Sequence, residues 1–223
     1  MGRLKTESDI LEYIVDNELE PGDRLPALAD LSKELGLSVG KLREDLEAVR
    51  QLGVVSVRPR RGIRREPYDF YPAVQASLLF GLSTGEATFR QYSQLRQSIE
   101  ANMWHQAVSC LTSDDKQDLH DIVRQAWEKL KASRVHIPNR EHRELHLTLF
   151  KRLDNPFVDG LLRAYWDAYF EMELSRFADY QYLIDVWTYH QRIVQAVCDG
   201  EIEQGRQLLI EHFRLLPSVN FPT

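Results

Sequence analysis

The chain of 223 residues has 43% hydrophobic and 28% charged side chains, and its 34 acidic and 28 basic groups leave a formal charge of -6. Such a chain builds one or two packed domains, which excludes collagen-like and charge-driven disordered classes. Cys110 and Cys198 offer neither a disulfide framework nor a cysteine-rich zinc module, and no apolar run reaches the roughly 18 to 20 residues of a membrane span, so a cytoplasmic protein without a secretory leader is expected.

Charge and aromatic content divide the chain. Residues 1–65 hold 12 basic and 12 acidic groups, whereas residues 66–223 hold 16 and 22 and so carry the whole -6. Tyr13 is the lone aromatic before residue 66; all 4 Trp, all 9 Phe and the other Tyr residues follow it. Pro67 and Pro72 in REPYDFYPAV interrupt regular structure there. Two domains, 1–66 and 67–223, are expected.

The first helix is expected within residues 5–18, with Ile10, Tyr13, Ile14 and Leu19 on one face and Glu12, Asp16 and Glu18 on the other, ending before Pro21-Gly22. A second opens at Pro26 and runs through Leu35 to Gly36, with Leu28, Leu31 and Leu35 at helical spacing. Ser38 caps a third, in which Leu42, Leu46 and Val49 recur and Gly53 provides the exit. VVSV then reads as a strand, RPRRG as a turn and IRR as the return strand of a small hairpin.

Arg58, Arg60, Arg61, Arg64 and Arg65 make this hairpin a +5 segment without an acid. Three helices followed by a basic wing suit duplex DNA. The third helix fits a major groove, and guanidiniums on the wing reach phosphates or a narrow minor groove. The bland alternative is a solvated hairpin on a helical packing motif. Arg43, five residues beyond the cap, is the helix residue best placed for a phosphate or a guanine edge.

The segment LEPGDRLPALADLSKELGLSVGKLREDLEAVRQLGVVSVRPRRG resembles the winged helix-turn-helix head of GntR-family bacterial transcription regulators over residues 5–65. The resemblance implies that Ser38, Val39, Gly40, Lys41 and Arg43 open the DNA-facing recognition helix. It implies that Gly62 lets the tip of the wing that carries Arg58, Arg60 and Arg61 approach the minor groove. Val39 and Ala29 depart from the family pattern, in which an arginine and another charged residue are common at these two places.

Beyond residue 72 the pattern reads as helices over 72–80, 86–110, 115–133, 139–152, 156–176, 181–199 and 203–216, an antiparallel bundle. Leu95, Ile99 and Met103 suggest one buried stripe; Leu119, Ile122, Val123, Trp127 and Leu130 suggest another. The whole is therefore a mainly α chain with one small β-hairpin. All 7 histidines lie in the bundle. His142 and His146 share a helical face, while His190 and His212 fall on later helices that a bundle interior can bring toward them. Imidazoles suit Zn2+ or Ni2+, although an i,i+4 histidine pair is more often a surface pair or core edge.

RQSIE, HRELHLTLFKRLDNP and YHQRIVQAVCDGEIEQGRQLLIEHF, in that order, resemble the FadR-type, metal-binding ligand domain (FCD) attached to many GntR regulators. The resemblance covers residues 72–216 and implies a metal set of His142, His146, His190 and His212, with His142 replacing the family's usual aspartate. It further implies a homodimer on palindromic operator DNA, controlled by a small organic acid bound near the metal.

Arg96 either binds that acid or pairs with Glu100, four residues on. His105 and Cys198 read as packing residues. No nucleophile, acid and base set stands out, so no enzyme is expected. The competing functions are a metal-dependent enzyme using the histidine pocket and a nonspecific DNA-binding or architectural protein.

Overall fold

A computed structural model describes residues 6–172 and 179–215, which fall into two compact units divided between Ala76 and Ser77. In the first unit, α1 (Asp9–Asp16) starts where the Ser8 side chain accepts the Leu11 N–H, and it buries Ile10, Tyr13 and Ile14. α2 (Leu28–Leu35) opens two residues later than expected, because Ala27 is extended at φ -65° and ψ 152°. Leu25 before it is instead buried in the core. Gly36, at φ 68°, ends the helix in the left-handed region that glycine tolerates best.

α3 (Val39–Gln51) has the expected cap: Ser38 accepts the Lys41 N–H, and Leu42, Leu46 and Val49 are buried. α3 is joined to α1 through the Asp45 carboxylate, which accepts the Ile10 N–H at 2.8 Å. β1 (Val55–Arg58) and β2 (Gly62–Arg65) form an antiparallel pair with Val55 opposite Arg65 and Arg58 opposite Gly62. Val55 and Ile63 face the helices and complete this small core.

α4 (Tyr71–Thr84), α5 (Phe89–Ser109), α6 (Ser113–Leu130), α7 (Asn139–Phe150), α8 (Pro156–Glu171), α9 (Tyr180–Asp199) and α10 (Ile202–Phe213) follow. α8 ends at Glu171 and α10 at Phe213, capped by Met172 and Arg214, short of the expected ends at 176 and 216, and residues 173–176 and 216 fall outside the described residues. Thr88 and Thr112 cap α5 and α6 with reciprocal side-chain to backbone bonds, and Asn155 caps α8 ahead of Pro156. Trp104, Leu119, Leu145, Leu149, Trp187, Ile193 and Leu209 are central to the main bundle core.

The stripe expected on α5 is corrected. Leu95 is exposed, while Arg96, Glu100 and Trp104 are buried. Ile99 and Met103 do pack, partly buried, against the core, but the deepest face of the helix brings in the Arg96–Glu100 ion pair. α5 also anchors α10: the Trp104 indole N–H donates to Ile202 O at 2.7 Å, and Arg206 Nε donates to Ala101 O at 2.9 Å. Lys129 and Glu141, 2.7 Å apart, tie α6 to the start of α7. These links place the histidines.

Candidate metal centre and nucleic-acid interface

α7 presents His142 and His146 inward on successive turns, α9 presents His190 and α10 presents His212. One candidate donor atom from each lies within 4.8 Å of all the others. The Nε2 atoms of His190 and His212 are 3.2 Å apart. Tetrahedral zinc with bonds of about 2.1 Å spaces its nitrogen donors about 3.4 Å apart, so this pair already has the required separation.

His146 and His190 are fully buried, and His142 is 8% exposed. Trp166 packs 4.5 Å from the His142 ring and 5.0 Å from the His146 ring, measured between centroids, and Trp187 stands 4.8 Å from His190. Burial among these rings drives the imidazoles of His142, His190 and His212 well below the usual histidine range, and neighbouring histidines add to the effect. Burial also lowers His146, against an upward pull from Glu100. Neutral imidazoles keep the lone pairs that metal ligation needs.

Buried polar atoms without a hydrogen-bond partner concentrate here. Nine of the eleven such atoms among the described residues belong to Arg96, Glu100 and the four histidines, including Nε2 of His142 and His146. Native interiors leave few such atoms, so this concentration marks a ligand site. Four neutral nitrogen donors fit Zn2+ or Ni2+ and are a poor match for a hard, oxygen-seeking ion. The residues present therefore fit the metal that the fold implies.

Arg96 enters from α5. Its guanidinium lies 4.4 Å from the Tyr165 ring centroid and 5.1 Å from that of Phe213, and its Nε is 3.9 Å from Glu100 Oε1. The two sequence readings of Arg96 meet in this geometry: it is near Glu100, yet Nε and Nη2 have no hydrogen-bond partner. Glu100 in turn reaches across to α7, with Oε2 3.2 Å from His146 Nδ1. Sequence spacing linked Glu100 to Arg96 alone and missed this contact. His105 is corrected from a packing residue to an exposed one facing Glu203 at 3.0 Å, whereas Cys198 does pack against the core.

In the head, Ser38, Val39, Gly40, Lys41 and Arg43 are exposed at the opening of α3. Lys41 pairs with Asp9 of α1 at 2.7 Å. Arg58, Arg60 and Arg61 are exposed on the hairpin, but the local +5 is reduced in effect. Arg64 donates to Gly22 O at 2.5 Å and Arg65 to Leu19 O at 2.7 Å, so both brace the wing against the PGD turn. Gly62 has φ 75°, and a Cβ there would stand 3.0 Å from Arg24 Nε. Arg24 is a wing-side cation that the sequence reading missed, because the turn that carries it lies far from the wing in sequence.

A winged helix-turn-helix head and a helical ligand domain with a buried histidine centre define a ligand-responsive DNA-binding regulator. Residues 4–64 match the gntR family of bacterial regulatory proteins and residues 91–215 match the FCD domain, so the chain belongs to the GntR-family regulators with a FadR-type carboxyl-terminal domain. Membership in this family makes it a regulator and not an enzyme.

Similar proteins include YieP, an HTH-type transcriptional regulator of Escherichia coli, 23% identical over 86% of this chain and 84% of that protein. A putative L-lactate dehydrogenase operon regulatory protein of Escherichia coli is 24% identical over 94% and 83%. The structure of a Streptococcus agalactiae GntR protein superposes with a TM-score of 0.65 at 18% identity, covering 93% of this chain and 94% of that one, which supports the fold. Among the described residues no helix is long and apolar enough to cross a membrane.

Proposed function

We propose that the chain acts as a homodimer on a palindromic operator, takes a divalent metal through His142, His146, His190 and His212, and responds to a small organic acid bound beside that centre. The observation that carries this reading is the convergence of four buried imidazoles next to a buried guanidinium with two unpartnered nitrogens. When bound, the metal supplies positive charge and Lewis acidity toward a carboxylate. Arg96 offers a planar donor edge to the same group, held by the aromatic rings around it.

The relative named for an L-lactate dehydrogenase operon connects that protein with a small carboxylic acid and supports this effector class. Unequal affinity of the acid for two arrangements of the regulator shifts their populations, and with them the fraction able to seat two recognition helices on two half-sites. In the head, Ser38, Val39, Gly40 and Arg43 face the duplex, while Arg58, Arg60 and Arg61 engage phosphates beside Gly62. Lys41 joins them when it leaves Asp9.

The test combines elemental analysis of untagged protein with fluorescence anisotropy on duplexes selected from a random pool. Zinc or nickel is expected at a molar ratio near one, falling on replacement of His190 or His212 by Ala. Arg43→Ala should cost about 1–3 kcal/mol of operator binding, and joint replacement of Arg60 and Arg61 by Ala should lower the salt slope. Protein that holds no metal, or that binds all selected and scrambled duplexes equally, would overturn the corresponding half of the proposal.

A further inference from the structure

Glu100 is a fully buried carboxylate on α5, and its position has two sides. Oε1 faces Arg96 Nε at 3.9 Å; Oε2 faces His146 Nδ1 at 3.2 Å. Both ring nitrogens of His146 and both Glu100 oxygens are buried without a hydrogen-bond partner, and His146 belongs to the histidine cluster.

An imidazole that donates one ring N–H to a carboxylate exposes the lone pair of the other nitrogen, and the carboxylate fixes ring orientation and raises ligand basicity. The four candidate metal ligands are all neutral nitrogens, so an adjacent anion has an electrostatic task that no ligand performs. Resting on the metal reading above, we propose that Glu100 is the positioning residue of this centre: it accepts the Nδ1–H of His146, commits Nε2 to the metal, and supplies the negative charge that the imidazole set lacks. The Nδ1 to Oε2 separation of 3.2 Å is within hydrogen-bond length, and the proposed bond would satisfy two atoms that otherwise have no hydrogen-bond partner.

Arg96 fits the same arrangement from the other side. Its Nε stands 3.9 Å from the second carboxylate oxygen, so a cation faces Glu100 on one oxygen while the other faces His146. Glu100 touches neither a substrate nor the metal; it works through His146. Glutamine at this position keeps the size and an acceptor oxygen but loses the charge, and alanine loses both.

The test uses the full-length chain. Zn2+ affinity is measured by competition with a chromophoric chelator, Co2+ substitution reports ligand field by its visible bands, and nitrogen-resolved NMR of the metal-free protein reports the His146 tautomer. Wild type should show the Nδ1–H tautomer. Glu100→Gln should weaken Zn2+ binding by about 10–100-fold and shift the Co2+ bands. Glu100→Asp should recover part of the affinity.

Because an unpaired Arg96 can destabilise the bundle, Arg96→Met with Glu100→Gln serves as a second variant, and it should show the same affinity loss when folded. Zinc affinity within twofold of wild type in both glutamine variants, or an Nε2–H tautomer in wild type, would overturn the proposal. Wild type without any Zn2+ binding would instead defeat the metal reading on which it rests.

Discussion

At the residue scale, the histidine cluster exchanges solubility for ligand capacity. Neutral imidazoles in a dry core remain neutral only while the fold excludes protons. The folded pKa values of His142, His190 and His212 are depressed, whereas the unfolded chain takes up protons below pH about 6.5. The unfolded state therefore binds more protons in acid, and stability is highest above that pH and falls as pH drops below it. Each ring contributes up to about 1.4 kcal/mol per pH unit across the window. Denaturant unfolding of metal-free protein should show a midpoint that drops between neutral and mildly acidic pH, and His142→Asn should flatten that dependence. An unchanged midpoint would mean that the rings reach solvent. The four ligating candidates were legible because His142 and His146 share a helical face and the family pattern supplied His190 and His212. Glu100 was not legible as their partner: its local sequence neighbour is Arg96, and contact with His146 requires the packing of α5 on α7.

At the element scale, α3 and the wing matched the sequence pattern because cap, periodicity and turn chemistry agreed. Ser38 opens the helix and Gly53 leaves it with φ 75°. What the pattern concealed is how much positive charge the head spends internally. Arg64 and Arg65 brace the wing, and Lys41 is paired with Asp9 across to α1. Asp9 of α1 thus holds a cation at the opening of α3. Asp9→Asn should release Lys41 toward a phosphate, tighten DNA binding and steepen the dependence of log affinity on log salt by about 0.9 for the one added contact. Anisotropy titrations over a salt series measure this slope. A slope equal to wild type would show that Lys41 stays off the duplex. The partial miss on α5 has a similar origin: Ile99 and Met103 pack against the core as their spacing suggests and Leu95 does not, while the fully buried face is set by Arg96, Glu100 and Trp104, whose polar members a hydrophobic pattern cannot select.

At the scale of the whole molecule, the uneven composition provides an independent probe of each unit. The net charge of -6 arises after residue 65, as do all 4 Trp. Trp104, Trp166 and Trp187 are buried in the bundle, with Trp166 against the histidines. Tryptophan fluorescence therefore follows the ligand domain and is blind to the head, whereas far-ultraviolet circular dichroism follows both. Ligation through α7, α9 and α10 fastens together helices distant in sequence, and a ligand bound only by the folded state stabilises by mass action. Free Zn2+ at about a hundred times its dissociation constant should add about 2.7 kcal/mol to the unit that binds it. Thermal scans should show the fluorescence transition moving to higher temperature with Zn2+ while the dichroism component silent in fluorescence stays in place. The shift should disappear in His190→Ala. Equal movement of both components would show that the two compact units unfold as one, and no movement at saturating Zn2+ would remove the four histidines from metal binding.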